Sequence, residues 1–162
     1  MAYVKEEVMA HKTGLEDYYV IKNQKKLHFG YTTGSCAAGA AKGATEMLLG
    51  GQKQNETDLM TPKGILLHLE LHDVCMEKDT VICAVRKDAG DDPDTTNGIL
   101  VYATVQKTKE PGIILDGGVG VGRVTKAGLS QKIGEAAINP VPKAMILREA
   151  TEIAEKYDIR GL

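Results

Sequence analysis

The segment DAGDDPD at residues 88–94 places four carboxylates within seven positions. Four such charges repel one another unless a positive or proton-bearing group lies close to them. The spacing differs from that of a calcium-binding loop, which needs regularly alternating oxygen ligands and a distant Glu. Two interpretations stay open. Either Asp91 and Asp92 act as a general base and Asp88 accepts hydrogen bonds from a polar ligand, or the segment is a solvated turn.

A second polar segment lies just before an Ala-rich stretch and contains Thr32, Thr33, Gly34 and Ser35. If a helix begins here, its first N–H groups are unpaired and carry partial positive charge. Such a helix end, with hydroxyl groups beside it, suits a carboxylate or a phosphate. The alternative is that Thr33 or Ser35 is an ordinary N-cap.

A third segment is rich in glycine. Its acidic-x-Gly-x-Gly-x-Gly pattern is formed by Asp116, Gly118, Gly120 and Gly122. This pattern is typical of nucleoside-binding loops in Rossmann-like methyltransferases, but that motif requires a helix that opens at the last glycine. Residues 123–128 are a poor helix start. The other interpretation is a loop whose bare backbone approaches a ligand, with Arg123 and Lys126 binding carboxylates. Arg123 pairing with Asp116 is the alternative for that side chain.

Other candidate groups carry weaker signals. His68, Glu70 and His72 alternate along a predicted strand, where they form a metal site or, more simply, a solvent-facing edge. The three cysteines are odd in number and lack metal-like spacing, so we interpret them as structural thiols and predict no protein-bound metal.

We expect the three polar segments, residues 32–35, 88–94 and 117–126, to converge on one cleft.

The elements that position these segments follow from periodicity. Residues 1–27 predict a loose arm or one short helix. A helix is predicted over residues 36–49, strands over residues 65–72, 80–85, 98–105 and 113–115, and a second helix from 139 to about 157. Consecutive strands between an early Ala-rich helix and a late amphipathic one predict an α+β fold with a mixed sheet, not a doubly wound one. Gly39 and Gly43 in the first helix each cost about 1 kcal/mol relative to Ala, which indicates close approach by another backbone or a flat ligand.

Composition excludes some functions. The chain has 162 residues and a net charge of −2, so nothing favours nucleic acid as a partner. It lacks an apolar stretch of the ~20 residues that span a bilayer. The unpaired cysteine count favours a reducing cytoplasm. Homo-oligomerisation is left open.

Four motifs together resemble the cobalt-precorrin-5B (carbon-1) methyltransferase family, the CbiD family. They are GYTTGSCAA at residues 30–38, DAGDDPD at 88–94 followed by Asn97-Gly98, GGVGVGRVTK at 117–126, and AINPVP at 137–142. The motifs occur in the family's order, and the resemblance as a whole covers residues 27–162. We therefore take residues 27–162 as the domain and residues 1–26 as an N-terminal arm. The resemblance also implies that a second, Rossmann-like domain of the family is absent from this chain.

The resemblance implies transfer of a methyl group from S-adenosylmethionine to carbon 1 of a cobalt corrinoid in anaerobic cobalamin biosynthesis. The cobalt belongs to the substrate. Because the substrate carries many carboxylates, Arg123, Lys126 and the helix start at Ser35 are suitable partners. We expect the chain by itself to have little or no activity. A corrinoid- or nucleoside-binding module without catalysis, and an unrelated α+β domain, are the alternatives.

Overall fold

The computed structural model describes residues 11–128 and 130–162 of the chain. Its helices and strands are β1 (Tyr19–Lys22), β2 (Lys25–His28), α1 (Thr33–Gly50), β3 (Glu56–Met60), β4 (Leu66–Met76), β5 (Thr80–Arg86), β6 (Leu100–Gln106) and α2 (Pro140–Lys156). None of the helices in these ranges is long and apolar enough to cross a membrane.

Strands β3 to β6 form one sheet in sequence order, and every neighbouring pair is antiparallel. The predicted α+β fold is confirmed. The alternation of β4 is clear: Leu67, Leu69 and Leu71 are buried, whereas His68, Glu70 and His72 point to the opposite face. Among the described residues, the parallel pairing is a single bridge between Gly112 and Gly161, so the sheet itself is not mixed.

Helix α1 packs on the buried face of the sheet, and its glycines make this possible. A Cβ atom on Gly39 would lie 2.3 Å from Leu69 Cδ1, and one on Gly43 would lie 2.6 Å from Leu71 Cδ1. The close neighbours are therefore leucine side chains of β4. Our expectation of another backbone or a flat ligand was wrong at both positions, because the sheet itself fills the space.

Helix α2 packs against α1 and begins at Pro140, as the proline pattern predicted. Glu149 is 6% exposed and lies between two cations, with 3.5 Å to Lys42 Nζ and 2.6 Å to Arg148 Nη2. At the start of α2, Pro142 fills the space beside Gly34, where a Cβ atom would lie 2.7 Å from the proline ring. The N-terminal ends of the two helices therefore touch.

Three local predictions were wrong. Within residues 11–27 the expected arm or short helix is instead a hairpin that ends at His28, with Asn23 and Gln24 at φ angles of 50° and 62° in its turn. Residues 1–10 lie outside the described ranges. The sequence pattern also missed β3. Residues 113–115 do not add a strand to the sheet; this extended segment pairs with the chain end, and the Ile114 amide donates to the Leu162 carbonyl at 2.9 Å.

Candidate functional site

The acidic loop at residues 88–94 is tied to the chain just before α1. The Tyr31 amide donates to the Asp88 carbonyl at 2.5 Å. The His28 amide donates to Asp91 Oδ2 at 2.7 Å, and the Asp91 amide returns a bond to the His28 carbonyl at 3.1 Å. Asp88 Oδ1 accepts from the Gly90 amide at 2.8 Å, as in an Asx-turn. Two of the four carboxylates thus serve the loop's own structure.

Asp94 has a partner that the sequence pattern did not identify. Lys87 Nζ lies 2.5 Å from Asp94 Oδ2, and Lys87 is only 4% exposed. The hydrogen bond from Lys87, followed by those from the backbone and hydroxyl of Thr96, holds the pKa of Asp94 well below its ordinary range. The signal was present in the sequence, because Lys87 immediately precedes the acidic cluster that needs a positive charge.

Asp92 differs from its three neighbours. Its carboxylate is exposed and has neither a hydrogen-bond nor an ion-pair partner among the described residues. Its backbone amide donates to the Ala89 carbonyl at 3.2 Å, so the turn fixes the position of the side chain without using it. Of the two predicted catalytic carboxylates, Asp91 is engaged by His28 and Asp92 is available to a ligand.

The start of α1 is capped in the ordinary way. Thr32 is the N-cap, and its hydroxyl accepts from the Ser35 amide at 3.0 Å and lies 2.9 Å from Ser35 Oγ. The expectation that Thr33 or Ser35 is the cap was wrong in position, since Thr32 occupies that role. Gly34 is covered by Pro142 and Ser35 is buried, so Thr32 and Thr33 are the exposed residues at this end. Anion binding here stays a prediction.

The thiols and histidines do not form a chemical centre in the described part of the chain. Burial raises the pKa of Cys36 and of Cys83 to about 12, and Cys83 Sγ donates to the Ala40 carbonyl at 3.1 Å. His68 Nδ1 lies 2.6 Å from Asp58 Oδ1 on the outer face of β4. Within residues 11–128 and 130–162, no three His, Cys, Asp or Glu side chains are arranged to hold a metal ion.

Arg123 and Asp116 close the glycine-rich loop with a two-pronged ion pair. Arg123 Nη1 lies 2.5 Å from Asp116 Oδ1, and Nη2 lies 2.8 Å from Oδ2. Nη2 also reaches the Gly117 carbonyl at 3.3 Å. The guanidinium, with the Gly117 amide second, lowers the pKa of Asp116. The alternative in which Arg123 pairs with Asp116 is the one that the structure adopts.

The glycine-rich loop is not a Rossmann-type nucleoside loop, because no helix opens at Gly122 or within residues 123–128. Instead the chain folds back: the Val124 amide donates to the Glu135 carbonyl at 2.9 Å, and the Ala137 amide donates to the Gly122 carbonyl at 2.8 Å. Arg123 and Ala136 form an isolated antiparallel bridge. The loop therefore lies on residues 134–137, which lead directly into α2.

The tip of this loop, residues 118–120, is exposed to solvent and has no packing neighbours among the residues that the structure describes. Val119 is 108% exposed, and a Cβ atom on Gly118 or Gly120 would meet nothing within 4 Å. Gly120 has a φ of +86°, a left-handed conformation that favours glycine. Lys126, further along, is also exposed, and its side chain has no partner within the described ranges. The Val119 side chain therefore buries no surface against the described part of the chain.

A cavity of about 420 Å³ lies between this loop and the start of α2. Its lining includes Asp116, Arg123, Lys132, Ile133, Glu135 and Lys143. The residues of the other two polar segments do not line it. Residues 32–35 and 88–94 adjoin each other through Tyr31, whereas residues 116–123 contact residues 134–137, just before α2. The structure thus has two neighbouring regions, and this cavity is not the single cleft that we expected.

The model of the CbiD family matches residues 20–161. The chain belongs to the CbiD family. It is 50% identical over 143 residues to the cobalt-precorrin-5B C(1)-methyltransferase of Ruminiclostridium cellulolyticum, covering 88% of this chain and 37% of that protein. It is 47% identical over 144 residues to the protein of the same name from Alkaliphilus oremlandii, covering 88% of this chain and 40% of that protein.

A crystal structure supports the fold of this CbiD chain. The cobalamin biosynthesis protein CbiD from Archaeoglobus fulgidus superposes with a TM-score of 0.62 at 30% identity, over 88% of this chain and 45% of that chain. All three polar segments fall inside the matched CbiD range. The chain therefore spans less than half the length of these CbiD relatives.

Proposed function

We propose that this CbiD segment is the substrate-facing part of an enzyme that methylates carbon 1 of cobalt-precorrin-5B, with S-adenosylmethionine as the methyl donor. The relatives that share 47–50% identity with it carry that activity in their names. Methyl transfer from a sulfonium needs an aligned nucleophilic carbon on the substrate and no protein nucleophile. The inert buried thiols of Cys36 and Cys83 agree with such a reaction.

One observation carries the proposal for this segment. The tip at residues 118–120 holds a fully exposed valine between two glycines, and the Asp116–Arg123 pair anchors its base. Glycine backbone permits the closest approach of a ligand. Burial of an exposed apolar side chain under a large apolar surface makes the free energy of binding more favourable. A corrinoid macrocycle has such a surface, and its acidic side chains suit the neighbouring Lys126.

In this proposal only one carboxylate of the acidic loop, that of Asp92, contacts the substrate. Asp92 is the carboxylate that can accept a proton or a hydrogen bond from a bound macrocycle, because Asp91 already accepts one from His28. Asp91 and Asp88 position Asp92 by holding the turn. The cobalt is part of the substrate, and we assign no protein-bound metal.

The methyl donor does not fit the glycine-rich loop of this segment. A nucleoside site of the Rossmann type needs a helix at the last glycine, and the chain after Gly122 is instead bridged to Ala136. We therefore assign none of the residues of this segment to the donor, and expect no appreciable turnover from the segment by itself.

Calorimetry of this chain with two ligands tests the proposal. We expect heat of binding with a corrinoid that carries free carboxylates, and none with S-adenosylhomocysteine. Binding of S-adenosylhomocysteine alone would contradict the assignment of this segment to the substrate. Turnover by this chain comparable to that of a relative of full length would contradict its assignment as one part of the catalytic unit.

The proposal includes a small-molecule corrinoid as the partner and a location in the cytoplasm. The free, buried thiols of Cys36 and Cys83 suit a reducing compartment. Self-association of the chain forms no part of the proposal.

A further inference from the structure

The cavity between the glycine-rich loop and α2 has an excess of positive charge. Three cations, Arg123, Lys132 and Lys143, share its lining with two carboxylates, Asp116 and Glu135. Arg123 is committed to Asp116. Neither lysine has a carboxylate within 4.0 Å in the described part of the chain. Two ammonium groups are therefore available at this cavity.

Lys143 occupies a position that is unfavourable for a cation without a ligand. It is the fourth residue of α2, whose first turn has no acidic residue and whose N-cap, Asn139, makes no side-chain capping bond. The helix macrodipole places positive charge at this end, so an added cation is repelled and an anion is attracted. Pro140 and Pro142 lack amide hydrogens, so the backbone offers few donors to an anion and Lys143 must supply them.

The remaining lining is apolar. Leu115, Ile138 and the 64% exposed Ile133 lie beside the lysines. The volume of about 420 Å³ falls in the range of small-molecule sites, which is roughly 300–1,000 Å³. This combination suits a ligand that presents a carboxylate from an apolar frame.

We propose that this cavity is a carboxylate-binding subsite for the acidic side chains at one edge of the tetrapyrrole, with Lys132 and Lys143 as the binding residues. Arg123 is a positioning residue that holds the loop forming one wall. The inference rests on the proposed function, because it takes its ligand class from it. It adds two residues that no sequence motif identified, since they are separated by a loop and meet only in the fold.

Calorimetric titration of the chain with two matched corrinoids tests the subsite. One carries free carboxylates, and the other is the same macrocycle with those groups converted to primary amides. We expect Lys132→Met and Lys143→Met each to weaken binding of the carboxylate form about tenfold, the scale of one charge-assisted hydrogen bond. Lys143→Arg keeps the charge and should retain most of the affinity. Binding of the amide form should not respond to either lysine.

Lys156→Met is the matched control, because Lys156 lies on the same helix about 20 Å away, at the end where the dipole favours a cation. It should leave corrinoid affinity unchanged. Lys143→Met should melt at the wild-type temperature or slightly higher, which separates lost binding from lost folding. Wild-type affinity in both lysine variants would overturn the subsite while leaving the proposed function intact. Failure of the wild type to bind either corrinoid would overturn both.

Discussion

The ammonium group of Lys87 lies 2.5 Å from a carboxylate oxygen of Asp94, at the base of the acidic loop. Because Lys87 is 4% exposed, removal of its partner leaves a buried charge without compensation. We expect Asp94→Asn to lower the free energy of unfolding at about pH 7. The pKa of Asp94 is depressed in the fold, so its contribution is present above the ordinary Asp pKa of 3.8 and is lost as the pH falls below it.

Urea denaturation of the wild type and Asp94→Asn at several pH values measures this contribution. The difference between them should be largest near neutral pH and should shrink in strong acid. Asp92→Asn is the control, since its exposed carboxylate has no partner in the described ranges and its loss should not change stability. A difference that persists unchanged at low pH would show that the ion pair is not its source.

The contact between Gly39 and Leu69 gives a second prediction. Alanine at position 39 gains about 1 kcal/mol of helix propensity, but its Cβ would lie 2.3 Å from Leu69 Cδ1. Leu69 is fully buried and cannot move into solvent, so the overpacking cost of about 1–3 kcal/mol exceeds that gain, and we expect Gly39→Ala to destabilise the fold by up to about 2 kcal/mol.

Gly118→Ala is the comparison for Gly39→Ala in denaturant titrations, because a Cβ atom there meets nothing within 4 Å. It should leave the unfolding midpoint unchanged. An equal loss of stability in the two variants would contradict the assignment of Gly39 to packing and of Gly118 to the ligand face.

Much of the fold could be predicted because its patterns are local. The apolar periodicity of α2 and the alternation of Leu67, Leu69 and Leu71 in β4 locate those elements within a few residues. The hairpin at β1 and β2 escaped prediction because its turn is Asn23-Gln24, without the glycine that usually marks such a turn. The start of α1 was misplaced since Thr32, Thr33 and Ser35 are all good N-caps, and only tertiary contacts select one of them.

The site was harder to predict, because residue types identify chemical groups but not their partners. Nothing local distinguishes Asp92 from Asp91; the difference is a bond from the distant His28 amide. Lysine is almost never fully buried, so its residue type alone does not predict that Lys87 lies buried beside Asp94. Lys132 and Lys143 become neighbours of one cavity only because the glycine-rich loop folds back onto the residues before α2.

The thiols provide a third prediction. Cys75 is exposed, whereas Cys36 and Cys83 are buried. A thiol reagent such as dithiobis(nitrobenzoate) should modify one of the three cysteines rapidly in the folded chain and all three in denaturant. Cys75→Ser should abolish the rapid phase. Rapid modification of Cys36 in the folded chain would contradict its burial beneath the start of α1.

The same buried thiols predict loss of stability in alkali. Burial raises the pKa of Cys36 and Cys83 from the ordinary thiol value of 9.0 to about 12. A raised pKa means that their contribution to stability is complete below about pH 9 and is lost as the pH rises toward 12. Denaturant titrations from neutral to alkaline pH should show this decline, and Cys83→Ala should reduce it. An unchanged slope in Cys83→Ala would exclude the Cys83 thiol as its source.

The last prediction concerns the Asp116–Arg123 pair, which admits two roles for the guanidinium. If Arg123 positions the loop, then Arg123→Ala and Asp116→Asn remove the same constraint. Both should then weaken binding of a carboxylate corrinoid to a similar extent, and the double variant should be no worse than either. If Arg123 instead contacts the ligand carboxylate directly, Asp116→Asn frees the guanidinium and removes a negative charge, so affinity should rise.

We expect the first pattern, because both prongs of the guanidinium are held by Asp116 and one of them also reaches the Gly117 carbonyl. The two side chains are 46% and 62% exposed, so the pair contributes little to global stability and the melts of all three variants should stay close to that of the wild type. A double-mutant cycle of corrinoid affinities measures the coupling. Arg123→Lys should not restore binding, since an ammonium cannot reproduce the two-pronged contact that fixes the loop. A rise in affinity in Asp116→Asn would instead make Arg123 a third binding residue of the cavity, beside Lys132 and Lys143.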